Sequence, residues 1–355
     1  MLAILLGYRN FILEQRVVAS EARLSAFEAR FLESGLESLA QSVLENGQSK
    51  LDTLLQAALN RVDALEARST AVSRVIGSAL PSIMFLQVAY RFEDEDTGEP
   101  LRFLVGPDGE PLMTPAGPAM SLKGKGPIVE RQLTGTAFVA TEDRLLVTNR
   151  HLVRPWEDDE AAAVLASRGF KPVLYRLVGY LPGKAEPIEV EVAGISEEAD
   201  VAILKSDALP PHIGYLDLNP DVPGPGDSVI VMGYPTGIQA LVARAGHRLV
   251  DELREADDVD FWQVARQLSD NEHINPLASL GIVGQVSETF VVYDAETAQG
   301  GSGGPVLGLD GRVVAINAAV IPGFNGSNLG VPVERAVKLI EGLKVTDEKK
   351  SRPTP

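Results

Sequence analysis

A single serine, Ser302, stands among four glycines in the stretch Gln299-Gly300-Gly301-Ser302-Gly303-Gly304-Pro305. Glycine permits backbone conformations that other residues avoid, and it lets main-chain N–H groups come close to a ligand. A serine held in such a loop is exposed, and the surrounding amides can stabilise a developing negative charge. Because Gly and Ser are also ordinary turn residues, the stretch alone fits a plain turn between two strands equally well.

Two residues upstream of Ser302 carry the groups that a nucleophilic serine needs. His151 lies at the end of a predicted strand, and Asp200 directly precedes another, over residues 201–205. A serine hydroxyl is a poor nucleophile until an imidazole takes its proton, and the imidazole needs a carboxylate to fix its tautomer and stabilise its charged form. A lone histidine or aspartate at a strand end is usually structural. The three residue types in this order, around a glycine-flanked serine, indicate the triad of a serine hydrolase instead.

The elements that must position these groups are short strands separated by Gly/Pro turns, which run from about residue 128 to 340. This pattern is typical of an all-β barrel or sandwich. The predicted strands cover residues 136–141, 144–148, 172–180, 188–195, 201–205, 228–233, 281–286 and 312–317. Helical patterns interrupt them at residues 156–168 and in a charged segment at 238–271, and an amphipathic helix over 332–343 closes the domain.

The N-terminal region has a helical pattern. Residues 10–79 carry apolar side chains at alternating four- and three-residue spacing, with a break at Asn46-Gly47. Heptad spacing predicts helices that pair along an apolar stripe. The stripe is interrupted and several of its positions are Ala or Ser, so two interpretations stay open. One is an oligomerising stalk or coiled coil; the other is a helical hairpin folded onto its own domain or the next.

Composition limits the functional classes. The chain has 355 residues, of which 45% are hydrophobic and 23% charged, and its formal net charge is −17. Such a charge repels nucleic-acid phosphates and anionic lipids, so nucleic-acid binding is not expected. The absence of cysteine excludes disulfides, thiolate metal sites and a cysteine nucleophile. The four histidines lack metal-ligand spacing, and neither a metal nor a cofactor is expected.

The first nine residues are mainly apolar. The run is shorter than the roughly 20 residues that span a bilayer, and it lacks the basic start of a signal peptide. It fits either the end of a membrane anchor whose remainder lies upstream of Met1, or the first turn of a soluble helix.

The expected organisation has four parts. They are a helical, coiled-coil-like region at 1–80, a β-hairpin and Gly/Pro-rich connector at 81–127, a β-rich domain at 128–345 with a helical insertion at 238–280, and a disordered polar tail at 346–355.

Several motifs of the strand-rich region occur in the order of one known family. They are Gly135-Thr136-Ala137-Phe138-Val139, Thr148-Asn149-Arg150-His151, Asp200-Val201-Ala202-Ile203-Leu204-Lys205, Gly226-Asp227-Ser228-Val229, Met232-Gly233-Tyr234-Pro235, Gly281-Ile282-Val283, Gly300-Gly301-Ser302-Gly303-Gly304-Pro305 and Gly330-Val331-Pro332. Together they resemble a trypsin-like serine peptidase, nearest to the HtrA/Deg branch, over about residues 128–340. The resemblance implies a mainly β domain of two six-stranded barrels with the site in the cleft between them, preceded here by the α-helical N-terminal region.

The resemblance also implies roles for individual residues. His151 is expected as general base, Asp200 as the group that orients it, and Ser302 as nucleophile. Backbone N–H groups of Gly300, Gly301 and Ser302 are expected to form the oxyanion hole, where one donor is worth about 3 kcal/mol. The residues expected to bind substrate are Thr297, Ala298, Gln299, Asn317, Ala318 and Ala319. Their small and apolar character favours a small or medium aliphatic P1 side chain.

This chain departs from the family pattern in several places. Gly301 stands where the HtrA branch usually has Asn and trypsins have Asp, which removes a side-chain tether and predicts an oxyanion loop that is mobile until substrate binds. The insertion at 238–280 is longer than usual and is either a lid or a segment packed on the barrel. The residues after the closing helix are too few for a PDZ domain. Glu296 lies either at the base of the P1 pocket or in solvent.

The expected function is therefore that of a bacterial serine endopeptidase of protein quality control. Its substrates would be unfolded or flexible protein segments, and its N-terminal helices would form a homo-oligomer or recruit a partner protein. The cell envelope, on the periplasmic side with or without a membrane anchor, is the expected location. Two alternatives remain: a peptidase-fold module that binds a peptide or partner without turning it over, and a scaffold built on the N-terminal helices.

Overall fold

The computed structural model describes residues 69–351 except 116, 222, 256–259, 299 and 321–326, and before residue 69 it describes residues 23, 25, 26, 50, 53–62 and 66. The chain divides into two compact units, Met1–Ser69 and Thr70–Pro355. In the first unit every described residue is helical, in agreement with the heptad pattern. Most of the predicted apolar stripe lies outside the described residues, so the choice between stalk and hairpin is not tested.

The second unit is mainly β, as the sequence predicts. Its strands are β1 (Ile83–Asp94), β2 (Arg102–Phe103), β3 (Met113–Thr114), β4 (Gly117–Pro118), β5 (Met120–Ser121), β6 (Glu130–Val139), β7 (Leu146–Thr148), β8 (Phe170–Tyr180), β9 (Ile188–Glu189), β10 (Glu191–Ile195), β11 (Ala202–Lys205), β12 (Ser228–Gly233), β13 (Leu277–Val286), β14 (Val291–Tyr293), β15 (Pro305–Gly308), β16 (Val313–Val320) and β17 (Asn328–Pro332). Its helices are α1 (residues 70–79), α2 (Arg150–Val153), α3 (Glu160–Ala166), α4 (Gly237–Arg244), α5 (His247–Glu255), α6 (Phe261–Asp270) and α7 (Glu334–Ser351).

The strands form two large sheets. The first has seven strands in the order β10-β11-β7-β6-β1-β8-β9, and the second is a closed barrel in the order β12-β13-β14-β17-β16-β15. Short two-stranded sheets, β2-β5 and β3-β4, fill the connection between β1 and β6. The mainly β prediction with paired barrels is therefore confirmed, with one closed barrel and one seven-stranded sheet that is nearly closed.

Strand β1 is central to the first sheet. It pairs antiparallel with both β6 and β8, and its residues 83–90 are all buried. Alternate side chains serve two cores: Met84 and Leu86 pack inside the first sheet, whereas Ile83 and Phe85 pack in the core shared with the closed barrel. The β-rich domain thus begins before residue 128, the boundary that the sequence suggested, because β1 supplies the middle of its first sheet.

The helical insertion packs across both sheets. Leu241 of α4 and Leu268 of α6 are fully buried in the shared core. The buried side chain of Gln87 in β1 donates from Nε2 to the Phe261 carbonyl at 2.6 Å, and Arg176 of β8 lies over the Trp262 ring at 3.9 Å from its centroid. The described part of this segment is therefore packed on the domain, and the choice between a lid and a packed segment stays a prediction.

The C-terminal helix α7 closes the second unit. Its Ala336 and Ile340 are buried in the shared core, as the apolar spacing predicts. The helix continues to Ser351, past the predicted start of a disordered tail at residue 346. Within the part of the chain that the structure describes, no helix is long and apolar enough to cross a membrane.

Candidate active site

The pairing of β7 with β11 brings two of the three expected catalytic residues together. Thr148 of β7 stands opposite Ala202 of β11. His151 follows Thr148 by three residues on the short helix α2, and Asp200 precedes Ala202 by two. Both residues therefore lie at the same edge of the first sheet, as their predicted positions at strand ends require.

Asp200 holds His151 at two points. Its Oδ2 accepts from Nδ1 of the imidazole at 2.8 Å, and its Oδ1 accepts from the main-chain N–H of His151 at 2.9 Å. The buried side chain of Asn149 donates to the Asp200 carbonyl at 2.8 Å, which fixes the backbone of the acid. The imidazole and the carboxylate thus have one relative orientation.

The Asp200 carboxylate stays ionised in this setting. Burial disfavours its charged form, but the hydrogen bond from the His151 side chain, the charges of His151 and Arg150 and the main-chain N–H favour it more strongly. The pKa of Asp200 is consequently lower than that of an ordinary aspartate. An ionised acceptor at Nδ1 keeps the proton on that nitrogen and leaves Nε2 free to accept one.

Ser302 lies in the loop that precedes β15, on the other side of the cleft. It and His151 line the same cavity of about 580 Å³. The Ser302 hydroxyl donates to the Ala318 carbonyl at 3.0 Å. Ser302 and His151 therefore border one cleft, while the Ser302 hydroxyl is directed at strand β16.

Residues 300–302, the loop in which the oxyanion hole is expected (the oxyanion loop), include the end of a tight turn. Gly300 has a φ of 90°, and the Gly301 N–H donates to the Ala298 carbonyl at 2.9 Å, as in a turn that requires glycine at its third position. The N–H groups of Gly300 and Ser302 have no acceptor among the described residues. They are thus available to a substrate oxygen. Gly301, the third expected donor, does not fit this role because its N–H is used inside the turn.

A side chain at position 301 would have no room. A Cβ built on Gly301 lies 2.4 Å from Thr297 Oγ1 and 3.2 Å from Asn317 Nδ2. These two atoms are joined by a hydrogen bond of 3.1 Å, and the buried Tyr293 hydroxyl donates to Asn317 Oδ1 at 2.6 Å. The hydrogen-bonded side chains of Tyr293, Asn317 and Thr297 therefore fill the space behind the loop. A side chain on residue 301 that tethered the loop would need this space.

The residues expected to bind substrate have different placements. Asn317 is 2% exposed, and its side chain is hydrogen-bonded to Tyr293 and Thr297. Ala298 closes the turn of the oxyanion loop, and Ala318 accepts the Ser302 hydroxyl. Gln299 lies outside the described residues, as does the side chain of Ala319, although Ala319 belongs to β16.

Glu296 is exposed and borders a small crevice with Leu277, Ser279, Thr297 and Gly301, so its place relative to a P1 side chain stays a prediction. It does not line the cavity shared by His151 and Ser302.

Substituting Gly301 is expected to be costly in this setting. We expect Gly301→Ala to destabilise the protein by about 1–3 kcal/mol and to lower kcat/KM about tenfold or more, because the new methyl displaces Thr297 or the loop. Thermal unfolding and cleavage assays measure both effects. Removing the obstructing oxygen in Gly301→Ala/Thr297→Ala should recover part of the loss.

Gly342→Ala in helix α7 is the matched control, since a Cβ there meets nothing within 4 Å. It should leave both quantities unchanged or raise stability slightly. Wild-type stability and activity in Gly301→Ala would show that the loop has free space at this point.

The sequence did not assign three residues that hold the site. Asn149 fixes the Asp200 backbone, Tyr293 begins the chain behind Gly301, and the buried Thr136 of β6 bonds to the oxyanion loop. Only Asn149 and Thr136 fall within the family-like motifs, and both are polar residues inside apolar strand patterns. That mismatch between polarity and burial was the available signal.

The architecture is that of the trypsin-like fold, in which two β-barrels pack side by side around a cleft. Residues 135–316, just over half of the chain, match the family described as "Trypsin-like peptidase domain". The chain therefore belongs to the trypsin-like peptidase family.

Relatives with curated descriptions point to one branch of this family. A probable periplasmic serine endoprotease DegP-like of Chlamydia muridarum is 27% identical over 213 residues, covering 59% of this chain and 33% of the relative. A protein of the same description from Hahella chejuensis is 24% identical over 225 residues, covering 61% and 37%. The chain thus spans about a third of the length of these relatives.

Similar solved structures include two proteases. The serine endoprotease from Yersinia pestis aligns with a TM-score of 0.44 at 16% identity, over 76% of this chain and 65% of that one. The active form of the Rv3671c protease from M. tuberculosis aligns with a TM-score of 0.43 at 17% identity, over 79% and 86%.

Proposed function

We propose that this protein is a serine endopeptidase in which Ser302 is the nucleophile, His151 the general base and Asp200 the group that orients the base. The observation that carries the proposal is the two-point attachment of His151 to Asp200, at 2.8 Å and 2.9 Å, on the wall of the cleft that contains Ser302. A histidine held this way has one tautomer and one orientation, as a general base for serine needs.

The proposed reaction begins when the Ser302 hydroxyl turns from the Ala318 carbonyl toward His151 Nε2, a rotation between staggered positions about one bond. Oγ then attacks the peptide carbonyl while its proton passes to Nε2, and the N–H groups of Gly300 and Ser302 stabilise the oxyanion. Collapse breaks the C–N bond, and Nε2 gives its proton to the leaving amine. Water, deprotonated by Nε2, hydrolyses the resulting acyl-enzyme and restores Ser302.

Protein segments in an extended conformation are the proposed substrates. The cavity beside Ser302 is about 580 Å³ and open, and part of its wall is apolar, formed by Leu133, Leu152, Ile238 and Phe261. A protein segment must be extended to lie along such a cleft, and unfolded or flexible segments can take this conformation. Relatives that are named as periplasmic serine endoproteases support protein substrates and a location in the cell envelope.

Oligomerisation through the N-terminal helices is also proposed. Residues 53–62 are helical, and Leu55, Leu59 and Val62 expose about half of their surface or more. Exposed apolar residues on one helix favour pairing with a second copy. Leu55→Glu/Val62→Glu should lower the molar mass measured by light scattering, whereas Gln56→Glu on the same helix should not. An equal mass in all three proteins would contradict this use of the helix.

Incubation with casein, an unfolded protein substrate, tests the proposed activity. Mass spectrometry of the products should show cleavage within the casein chain and none with Ser302→Ala. The direction of the Ser302 hydroxyl toward Ala318 favours the second candidate, a module that binds peptides without cleaving them. Casein binding without cleavage by the wild type would support that module and overturn the peptidase.

A further inference from the structure

Thr136 joins the nucleophile loop to the first sheet. It lies on β6, opposite Phe85 of β1, and is fully buried. The loop around Ser302 belongs to the closed barrel, and its Gly300 lies 164 residues later in the chain. A residue of one sheet thus touches the reactive loop of the other.

Every polar atom of Thr136 has a partner at this junction. Its N–H donates to the Ser302 carbonyl at 2.8 Å, and its carbonyl accepts from Thr148 Oγ1 at 2.7 Å. Its hydroxyl donates to the Gly300 carbonyl at 2.8 Å and accepts from the Tyr234 N–H at 3.1 Å. The single hydroxyl therefore connects the oxyanion loop with the end of β12.

We propose that the Thr136 hydroxyl is a positioning group that locks the Gly300–Gly301 peptide in the orientation that forms the oxyanion hole. The carbonyl of this peptide is held by Thr136, and its N–H is held by the Ala298 carbonyl. With both ends fixed, the peptide cannot turn its carbonyl into the hole, and the flanking N–H groups of Gly300 and Ser302 stay available. The inference rests on the proposed peptidase function.

The Thr136 hydroxyl matters because neither residue of the Gly300–Gly301 peptide has a side chain to hold it. Gly300 and Gly301 are adjacent glycines, whose backbones rotate more freely than those of other residues. Gly303 also packs closely against Thr136, since a Cβ on Gly303 would be 2.0 Å from the Thr136 carbonyl oxygen and 2.4 Å from Thr148 Oγ1. Close backbone contact and one buried hydroxyl thus take over the restraint that a side chain at residue 301 supplies elsewhere in the family's pattern.

A pair of matched substitutions separates the hydroxyl from the volume of the side chain. Thr136→Val keeps the shape and removes the hydroxyl, whereas Thr136→Ser keeps the hydroxyl and removes a methyl group. We expect Thr136→Val to lower kcat and the rate of fluorophosphonate labelling about 10- to 100-fold. The Gly300 carbonyl loses its hydrogen-bond donor, and the Gly300–Gly301 peptide can then turn out of the orientation that forms the oxyanion hole. KM should stay within about twofold, and Thr136→Ser should restore most of the rate.

A readout that does not depend on activity completes the test. In Thr136→Val the Gly301 amide should exchange its hydrogen faster than in the wild type and in Thr136→Ser, as followed by NMR. If Thr136→Val does not fold, Thr136→Ala takes its place in both measurements. A wild-type labelling rate in the folded variant lacking the hydroxyl would overturn the inference, as would a Ser variant as slow as the Val variant. Failure of the proposed function would look different, because the wild type itself would then not be labelled.

Discussion

Replacing Ser302 by Ala is expected to lower kcat on a peptide substrate on the order of a millionfold while leaving peptide affinity nearly unchanged. In the proposed reaction Ser302 forms the covalent bond, whereas the cleft is lined mainly by other residues, which belong to β6, α2 and the segment 236–261. Steady-state cleavage and titration of a fluorescent peptide measure the two quantities separately.

Ser167→Ala is a suitable control for this substitution. Ser167 also donates its hydroxyl to a backbone carbonyl, that of Val164 at 2.7 Å, but it is exposed and lies beyond helix α3. It should keep wild-type kcat. Residual cleavage by Ser302→Ala within tenfold of the wild type would remove Ser302 from the proposed role.

Replacing Asp200 by Asn is expected to cost about 10⁴-fold in kcat. The amide keeps the size of the carboxylate but presents an NH₂ group to His151 Nδ1, where Oδ2 now accepts at 2.8 Å. The imidazole must then carry its proton on Nε2, and it cannot take the proton of Ser302. The exposed Asp207 gives a matched control, since Asp207→Asn removes the same charge outside the site.

The lowered pKa of Asp200 also predicts how the free energy of unfolding changes with pH. Its carboxylate contributes stability above the pKa of an unfolded aspartate, about 3.9, and loses it as pH falls through the lower pKa of the folded protein. The difference in unfolding free energy between wild type and Asp200→Asn should therefore shrink as pH falls below about 4. A difference that grows toward acid would contradict the assignment of a charged, hydrogen-bonded Asp200.

Much of the fold was readable from local pattern. Apolar runs bounded by Gly/Pro turns predicted strands at β7, β11 and β12, and these three are observed. Strand β1 was also predicted, but its place in the middle of the first sheet was not. Its partners β6 and β8 begin 47 and 87 residues after the start of β1, and such long-range pairing leaves no periodic signal within either segment.

The candidate site shows the same division between local and long-range information. The residue types, their order and the family resemblance predicted that His151 and Asp200 meet, and the pairing of β7 with β11 brings them together. The loop mobility expected from Gly301 stays a prediction. The loop is contacted by Thr136, which lies 164 residues before Gly300, and no spacing in the sequence records such a contact.

The insertion illustrates a third case. Its helical character was predicted from composition and spacing, and helices α4, α5 and α6 bear this out. The partners of its apolar faces could not be predicted from composition. Leu241 and Leu268 are buried in the shared core, and Gln87 of β1 bonds to Phe261.

The most direct test of the central claim is to locate the adduct formed with a fluorophosphonate. The reagent reacts with a serine activated by a base and an oxyanion hole. Digestion and peptide mass spectrometry of the labelled protein should place one adduct on Ser302, formed at least a hundredfold more slowly in Asp200→Asn. An unlabelled wild type, or an adduct on another serine that forms equally fast in Asp200→Asn, would contradict the account.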